Sequence, residues 1–364
     1  MQAGLYSTAV LEQAYLNIIS GRSRNPLAAI ARGMLSAAQI PYRALMQARN
    51  RLYDTRPLRS IDLGRPTVSV GNITAGGTGK TPVVQWLASA LGAAGQTPAV
   101  LMRGYKKAGA AISDEQVMLV NLLPDIWIEA DPDRIAAARR VLVGQPKTTC
   151  FILDDGFQHR RARRNFDLVL IHAGEPFGFG HVHPRGLLRE PLAGLNRATA
   201  ILITHASEVG PEQLLETQQT LRQHTAAPIF HCDHVTDRII SADESETREL
   251  SDLAHLPFLL VTGIGQPQTL GASLRRFPAA YKAERFYDDH HHYTVADVDA
   301  IRASCRQSDA EIVVTTEKDW VKLEPLWLAR PAMPPLYRLC LNMRFWEGEE
   351  APLLSMLLSR MSGG

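Results

Sequence analysis

The feature that most constrains this chain is the run Gly76-Gly77-Thr78-Gly79-Lys80-Thr81, set between a β-rich stretch and a helix-forming one. Thr67 to Val70 reads as a strand, and Pro82 to Ala94 as a helix ended by Gly95. A strand, a glycine loop and a helix let consecutive backbone N–H groups converge on phosphate oxygens. A lysine then reaches the outer phosphates and a hydroxyl meets the metal. Thr74, Ala75, Gly76, Gly77, Thr78, Gly79, Lys80 and Thr81 are therefore the candidate phosphate contacts. The strict spacing G-x-x-x-x-G-K-[ST] would put glycine at position 74, where the chain has Thr74, so the match is partial. A glycine-rich turn that happens to contain Lys-Thr is the competing reading.

From about residue 66 strands and helices alternate, which predicts an α/β fold with a mainly parallel sheet. Strands are predicted over Pro98 to Met102, Thr148 to Leu153, Leu168 to His172 and Ala200 to Thr204, with a helix over Pro132 to Val143. Residues 235–256 turn polar, with Asp243, Glu244, Glu246 and Glu249 close together, and read as a linker or hinge. The alternation then restarts. Strands are predicted over Phe258 to Thr262, Glu311 to Thr315 and Leu336 to Leu341, and helices over Gln268 to Arg276 and Val295 to Ser304. The expected organisation is an N-terminal segment 1–65, a P-loop core 66–240, a smaller α/β domain 250–345 and a helical tail 346–364.

The length, 364 residues, suits two domains, and 45% hydrophobic with 21% charged residues is ordinary globular usage, which excludes disorder and a disulfide scaffold. A net charge of +2 gives no global field for nucleic acid. Cys150, Cys232, Cys305 and Cys340 have no C-x-x-C spacing, which points to a reducing, cytosolic compartment without a zinc site. No secretory signal pattern is visible, nor any run of about 18 uncharged apolar residues. Residues 26–53 interleave Leu27, Ile30, Met34, Leu35, Ile40, Leu45, Leu52 and Tyr53 with Arg32, Arg43, Arg49 and Arg51. That pattern suits a helix lying in an anionic membrane surface, broken or kinked at Pro41, or equally a helix packed on the protein with its arginines solvated.

A second chemical signature is Phe151-Ile152-Leu153-Asp154-Asp155, an apolar strand ending in two carboxylates, the form in which P-loop proteins present an acid to Mg²⁺. Partition-type ATPases place a lysine before the Gly-Gly pair, and here that residue is Ala75. GTPases read guanine with [NT]-K-x-D, and in Thr316-Glu317-Lys318-Asp319 the lysine comes one place late. Both alternatives lose ground to a kinase acting on a small or lipid substrate. Asp288-Asp289-His290-His291-His292 resembles metal-ligand material, yet adjacent residues point in different directions, so one histidine in an acid/base or orienting role is the better reading, with a solvated loop as the alternative. Arg160, Arg161, Arg163 and Arg164 are either a solvated run or an anion-binding patch near Asp155.

The run Ser69 to Pro82, Arg103-Gly104-Tyr105, Asp154-Asp155-Gly156-Phe157-Gln158-His159, Leu188-Arg189-Glu190-Pro191, Asp289-His290-His291 and Thr316-Glu317-Lys318-Asp319 together resemble the tetraacyldisaccharide 4'-kinases of lipid A biosynthesis. Order and spacing match from about residue 35 to 345, and that family's loop also lacks the first glycine. The resemblance implies transfer of the ATP γ-phosphoryl group to the 4'-hydroxyl of a lipid A disaccharide precursor at the cytosolic face of a bacterial inner membrane. It implies peripheral attachment through the N-terminal segment and no nucleic-acid partner, and a monomer is expected. It also implies that Lys80 holds the β and γ phosphates, that Thr81, Gln158, Glu190 and Asp154 surround Mg²⁺, and that Arg189 contacts phosphate. Asp155 and His159 complete that network, and Asp114 and His290 act as the acid–histidine pair for the sugar hydroxyl. Departures from the family pattern are Phe179 in place of Asn, Arg185 in place of a small residue, and His172 where Asp is common. A P-loop kinase for a water-soluble substrate and a nucleotide-gated switch are the other functions kept in view.

Overall fold

The computed structural model describes residues 11–362 apart from 12, 56–59, 105–113, 266, 290 and 331, and for Asp114, Glu115 and Thr269 it describes the backbone alone. Its strands are β1 Thr67–Asn72, β2 Pro98–Met102, β3 Trp127–Ala130, β4 Cys150–Asp154, β5 Phe166–His172, β6 Ala200–Thr204, β7 Ile229–Ser241, β8 Thr247–Glu249, β9 Phe258–Thr262, β10 Tyr281–Phe286, β11 Ile312–Thr316 and β12 Leu336–Phe345. The α/β reading and the mainly parallel pairing are as expected, and β2, β6 and β9 fall on their predicted limits.

The chain forms two compact units: Met1–Arg103 with Asp133–Asp233 and Phe345–Gly364, and Gly104–Pro132 with His234–Arg344. Residues 104–132 thus group with the second unit, and the C-terminal helix Glu350–Ser362 with the first.

In the first unit β1 pairs in parallel with both β4 and β5, flanked by β2 on one side and by β6 and the start of β7 on the other. Every residue of β1, β2 and β6 is buried, as parallel strands covered on both faces must be. The helix Lys80–Ala93 packs Val83, Val84, Leu87, Ala88 and Leu91 inward, so the glycine loop leaves the middle of a rigid sheet. Ligands of open α/β sheets gather at the carboxyl ends of such strands.

Among the described residues the N-terminal segment is helical over 13–19 and again over Pro26–Thr55. Asn25 starts the second helix, its side-chain oxygen accepting Ala28 N at 2.7 Å, with Pro26 at the first helical position. Of the break or kink expected at Pro41, the break does not occur: the helix runs through it, with loss of one backbone donor. Among the described residues no helix is long and apolar enough to cross a membrane.

In the second unit β10, β9, β11 and β12 lie side by side in parallel, and the helices Val295–Ser308 and Glu317–Leu328 bury Val298, Ile301, Trp320, Leu323 and Trp327 against them. The linker expected over 235–256 is also corrected. β7 continues to Ser241, β8 pairs antiparallel with it, and Ile239, Leu250 and Leu253 enter a core with Phe258 and Leu260. Asp243, Glu244 and Glu246 lie in the turn between β7 and β8, where Asp243 Oδ1 accepts Ser241 Oγ and Ser245 Oγ, while Glu249 ends β8.

Candidate active site

β1 and β4 end in close approach. A Cβ on Gly71 would lie 2.7 Å from Phe157 N, and one on Gly156 2.7 Å from Ser69 Oγ and Leu153 Cβ, so only glycine fits either place. The loop after β1 is then stitched to residues 187–189: Ala75 N donates to Leu187 O at 2.7 Å and Arg189 N to Ile73 O at 2.7 Å. Thr74 forms an isolated antiparallel bridge with Leu188 and is buried. A bridge residue is extended, which explains why position 74 does not require glycine. The positive φ values begin later, at Gly76 (131°) and Gly79 (72°). Gly79 is the N-cap of the following helix and supplies no side-chain cap, and a Cβ on Gly76 or Gly77 would meet nothing within 4 Å. An uncapped helix N-terminus facing open space favours an anion.

Three residues singled out separately in the sequence come together beside this loop. Asp155, just past β4, sits at φ 52°, and its two carboxylate oxygens each accept Arg189 Nη1 at 2.8 Å while Lys80 Nζ lies 3.6 Å away. Burial alone would raise the Asp155 pKa, but Lys80 and Arg189 overcome it and hold the carboxyl below its ordinary value. Gln158 Nε2 donates to Asn72 O at 2.8 Å and to Glu190 Oε1 at 3.0 Å. Glu190 is 2% exposed and also accepts Arg197 Nη2 on both oxygens at 2.9 Å and Asn50 Nδ2 at 2.8 Å. Gly194 makes room, since a Cβ there would stand 2.4 Å from Glu190 Oε2.

Sequence reasoning missed Arg197 and Asn50. Arg197 belongs to no motif, and Asn50 lies in the stretch read for its apolar and arginine pattern; neither carries a local signal. The arginine run near Asp155 is structural: Arg160 pairs with Asp54 and lies 5.2 Å over the Tyr53 ring, Arg161 pairs with Asp133, Arg163 with Asp62 and Arg164 with Asp167. His159 is held neutral, its pKa pushed down to about 4 by burial and by Arg134 and Arg164.

The departures from the family pattern also have local accounts. Phe179 adopts φ 60°, a left-handed conformation that Asn takes more readily. Arg185 Nη1 donates to Ile19 O at 2.8 Å. His172 stacks on His205 with ring centroids 4.4 Å apart, and these two with Glu208 are the one grouping among the described residues with metal-ligand proximity. Near-parallel rings cannot aim their in-plane nitrogens at one ion, and His172 Nδ1 accepts Gly174 N at 3.0 Å, so the grouping is not arranged as a metal centre.

In the second unit, Asp114 begins a helix but its side chain, like all of His290, lies outside the described residues. The residues around position 290 are firmly held. Asp289 Oδ1 pairs with Lys318 Nζ at 2.5 Å; His291 Nε2 meets Asp297 Oδ2 at 3.2 Å and its ring stacks on Tyr287 at 4.5 Å. Thr316-Glu317-Lys318-Asp319 is a helix start: Thr316 Oγ1 accepts Asp319 N, and Asp319 Oδ2 accepts Thr316 Oγ1, Thr262 Oγ1 and Gly263 N. This structural use agrees with the displaced lysine in arguing against guanine reading.

Hydroxyl and carboxylate oxygens from Thr81, Asp154 and Asp155 are the donor chemistry of a hard cation such as Mg²⁺. Glu190 as placed carries three donor side chains, and would have to release Arg197 to bind an ion directly.

Residues 31–362 match the family model for tetraacyldisaccharide-1-P 4'-kinase. The tetraacyldisaccharide 4'-kinase of Syntrophus aciditrophicus is 34% identical over 336 residues, covering 85% of this chain and 88% of that protein. That of Anaeromyxobacter dehalogenans strain 2CP-C is 33% identical over 316 residues, covering 82% and 83%. The crystal structure of Aquifex aeolicus LpxK in complex with ATP superposes with a TM-score of 0.72 at 25% identity, covering 91% of this chain and 99% of that one.

Proposed function

We infer that this chain, which belongs to the tetraacyldisaccharide-1-P 4'-kinase family, transfers the γ-phosphoryl group of ATP to the 4'-hydroxyl of a tetraacyldisaccharide 1-phosphate in lipid A biosynthesis. The observation that carries this reading is the convergence of Lys80, Asp155 and Arg189 on an open glycine loop in a chain that matches the family over nearly its whole length.

The backbone of residues 76–79 and Lys80 hold the β and γ phosphates, the expected contacts from Thr74 and Ala75 being set aside because Thr74 bridges Leu188 and Ala75 N already donates to Leu187 O, and Arg189 neutralises charge on the transferred group. With no nucleotide bound, the Asp155 carboxylate takes both cations, so nucleotide binding exchanges one anion for another around Lys80 and Arg189. Mg²⁺ would be held by Thr81 and Asp154, with Gln158 and Glu190 as further members of its surroundings, and would supply charge neutralisation on the phosphates. In the transfer, the bond from Pγ to the β–γ bridging oxygen breaks and one from Pγ to the sugar O4' forms. The hydroxyl proton passes to the Asp114–His290 couple, and ADP leaves with the electron pair of the broken bond.

A substrate with four acyl chains requires work at a bilayer surface. Leu27, Ile30, Met34, Ile40 and Leu45 of the helix Pro26–Thr55 are exposed, and they support peripheral attachment to the cytoplasmic face of the inner membrane. The reading is tested by incubating the purified chain with labelled ATP, Mg²⁺ and tetraacyldisaccharide 1-phosphate in detergent micelles. A 4'-phosphorylated product is expected; ATP turnover with no labelled lipid at any Mg²⁺ concentration would refute it.

A further inference from the structure

The helix Pro26–Thr55 carries more than its exposed apolar side chains. Tyr42 Oη donates to Arg189 O at 2.8 Å, Arg49 Nη2 to Gln158 O at 2.5 Å, and Asn50 Nδ2 to Glu190 Oε2 at 2.8 Å. Arg160 Nη1 returns a bond to Asn50 O at 3.0 Å. Positions 42 and 49 are two helical turns apart, so they share one face and Asn50 lies beside it. Three side chains of this single face thus grip three residues of the phosphate site, one of which, Arg189, is the partner of Asp155.

We propose that Tyr42, Arg49 and Asn50 are positioning residues for phosphoryl transfer, so that the helix offered to the membrane is also a wall of the active site. The proposal rests on the kinase reading and deepens it. Glu190 is buried, and Asn50 is the donor that reaches its carboxylate from outside the segments 158–197. Arg49 fixes the carbonyl of Gln158, whose amide holds Glu190 from the other side. Tyr42 fixes the backbone of Arg189 at the point where its N–H also ties the glycine loop through Ile73. A displacement of the helix would therefore reach Gln158, Arg189 and Glu190 together. A helix serving only as an anchor would need none of these bonds.

The test uses the full chain in micelles, where lipid partitioning does not limit the rate, with kcat and the KM for ATP and for acceptor measured separately. Asn50→Ala is expected to lower kcat about tenfold, and Asn50→Asp, which sets a second carboxylate against Glu190, about a hundredfold. Binding of both variants to vesicles of phosphatidylethanolamine and phosphatidylglycerol should equal that of the wild type. The double variant Leu27→Ser, Ile30→Ser should do the reverse, losing vesicle binding while keeping kcat in micelles. Wild-type kcat in the Asn50 variants, or a loss appearing only on vesicles and in step with binding, overturns the proposal. If Asn50→Asp does not fold, Tyr42→Phe decides, since it removes one hydroxyl; a measurable fall in kcat is expected and no change overturns the inference. A wild-type chain that makes no product would sink the kinase reading itself, a different outcome.

Discussion

After β1 the chain turns through Gly76, Gly77 and Gly79 into the helix Lys80–Ala93; after β9 it turns through Gly263 and Gly265 toward the helix Pro267–Leu274. Both turns follow a fully buried parallel strand, and in sequence both read as glycine-marked strand-to-helix connections. The first is open: a Cβ on Gly77 would touch nothing, and the charged groups beside it are Lys80, Arg189 and Asp155. The second is filled. The buried Asp319 carboxylate accepts Gly263 N and Thr262 Oγ1, and a Cβ on Gly263 would lie 2.9 Å from Asp288 O. A glycine turn after a strand becomes an anion site only where the protein leaves the N–H groups to an outside ligand. Where a side-chain carboxylate already occupies that place, the same motif is structural.

The contrast can be broken most sharply at the charged residues. Lys80→Ala should lower kcat/KM by at least about 10³-fold, because it removes charge stabilisation from the transferred phosphoryl group. Its thermal stability should hardly move, since Asp155 keeps its 2.8 Å pairing with Arg189 when Lys80 is removed. Asp319→Ala should do the opposite, lowering stability by about 3 kcal/mol in urea unfolding, because two buried donors, Thr262 Oγ1 and Gly263 N, and the half-buried Thr316 hydroxyl lose their acceptor. If Lys80→Ala unfolded the chain and Asp319→Ala merely slowed it, the two turns would have been assigned the wrong way round.

Glycine substitutions sharpen the comparison at smaller cost. Gly263→Ala should destabilise by about 1–3 kcal/mol, the effect of overpacking against fixed backbone. Gly77→Ala should stay within about 0.5 kcal/mol of the wild type, yet weaken ATP binding in a calorimetric titration, because its methyl group enters the space left for phosphate. The smallest effect is expected at Arg189. Asp155 has a depressed folded pKa, so its contribution to stability is complete above the unfolded value near 3.8 and is lost as pH falls through the folded one. Arg189→Ala leaves burial less opposed, and a carboxyl-carbon NMR titration should show the Asp155 midpoint moving to higher pH. An unchanged midpoint would mean that Lys80 alone sets it.

Much of the strand framework of both units, and the glycine loop of the first, was legible because those signals are local. Parallel strands buried on both faces are continuous apolar runs, so β2, β6 and β9 could be read to the residue, and a loop with Lys-Thr at a helix start needs only short-range spacing. The distinction between the two turns was not legible. It depends on Asp319 reaching back across 56 residues to Gly263, and on Arg189 meeting Asp155 across 34. The strand β7 was read partly as a linker because its second half, with its acidic turn, presents few apolar side chains; Ile239 alone reaches full burial there. Asn50 and Arg197 were invisible for the same reason: their roles lie in the Glu190 carboxylate they converge on, and nothing in their own neighbourhoods marks them.

Whether the turn after β1 holds the nucleotide is decided by hydrogen exchange with and without a non-hydrolysable ATP analogue and Mg²⁺. The amides of residues 76–81 should become protected on nucleotide binding, while those of Gly263 and Gly265 exchange as before. Protection at 263–265 with no change at 76–81 would contradict the account.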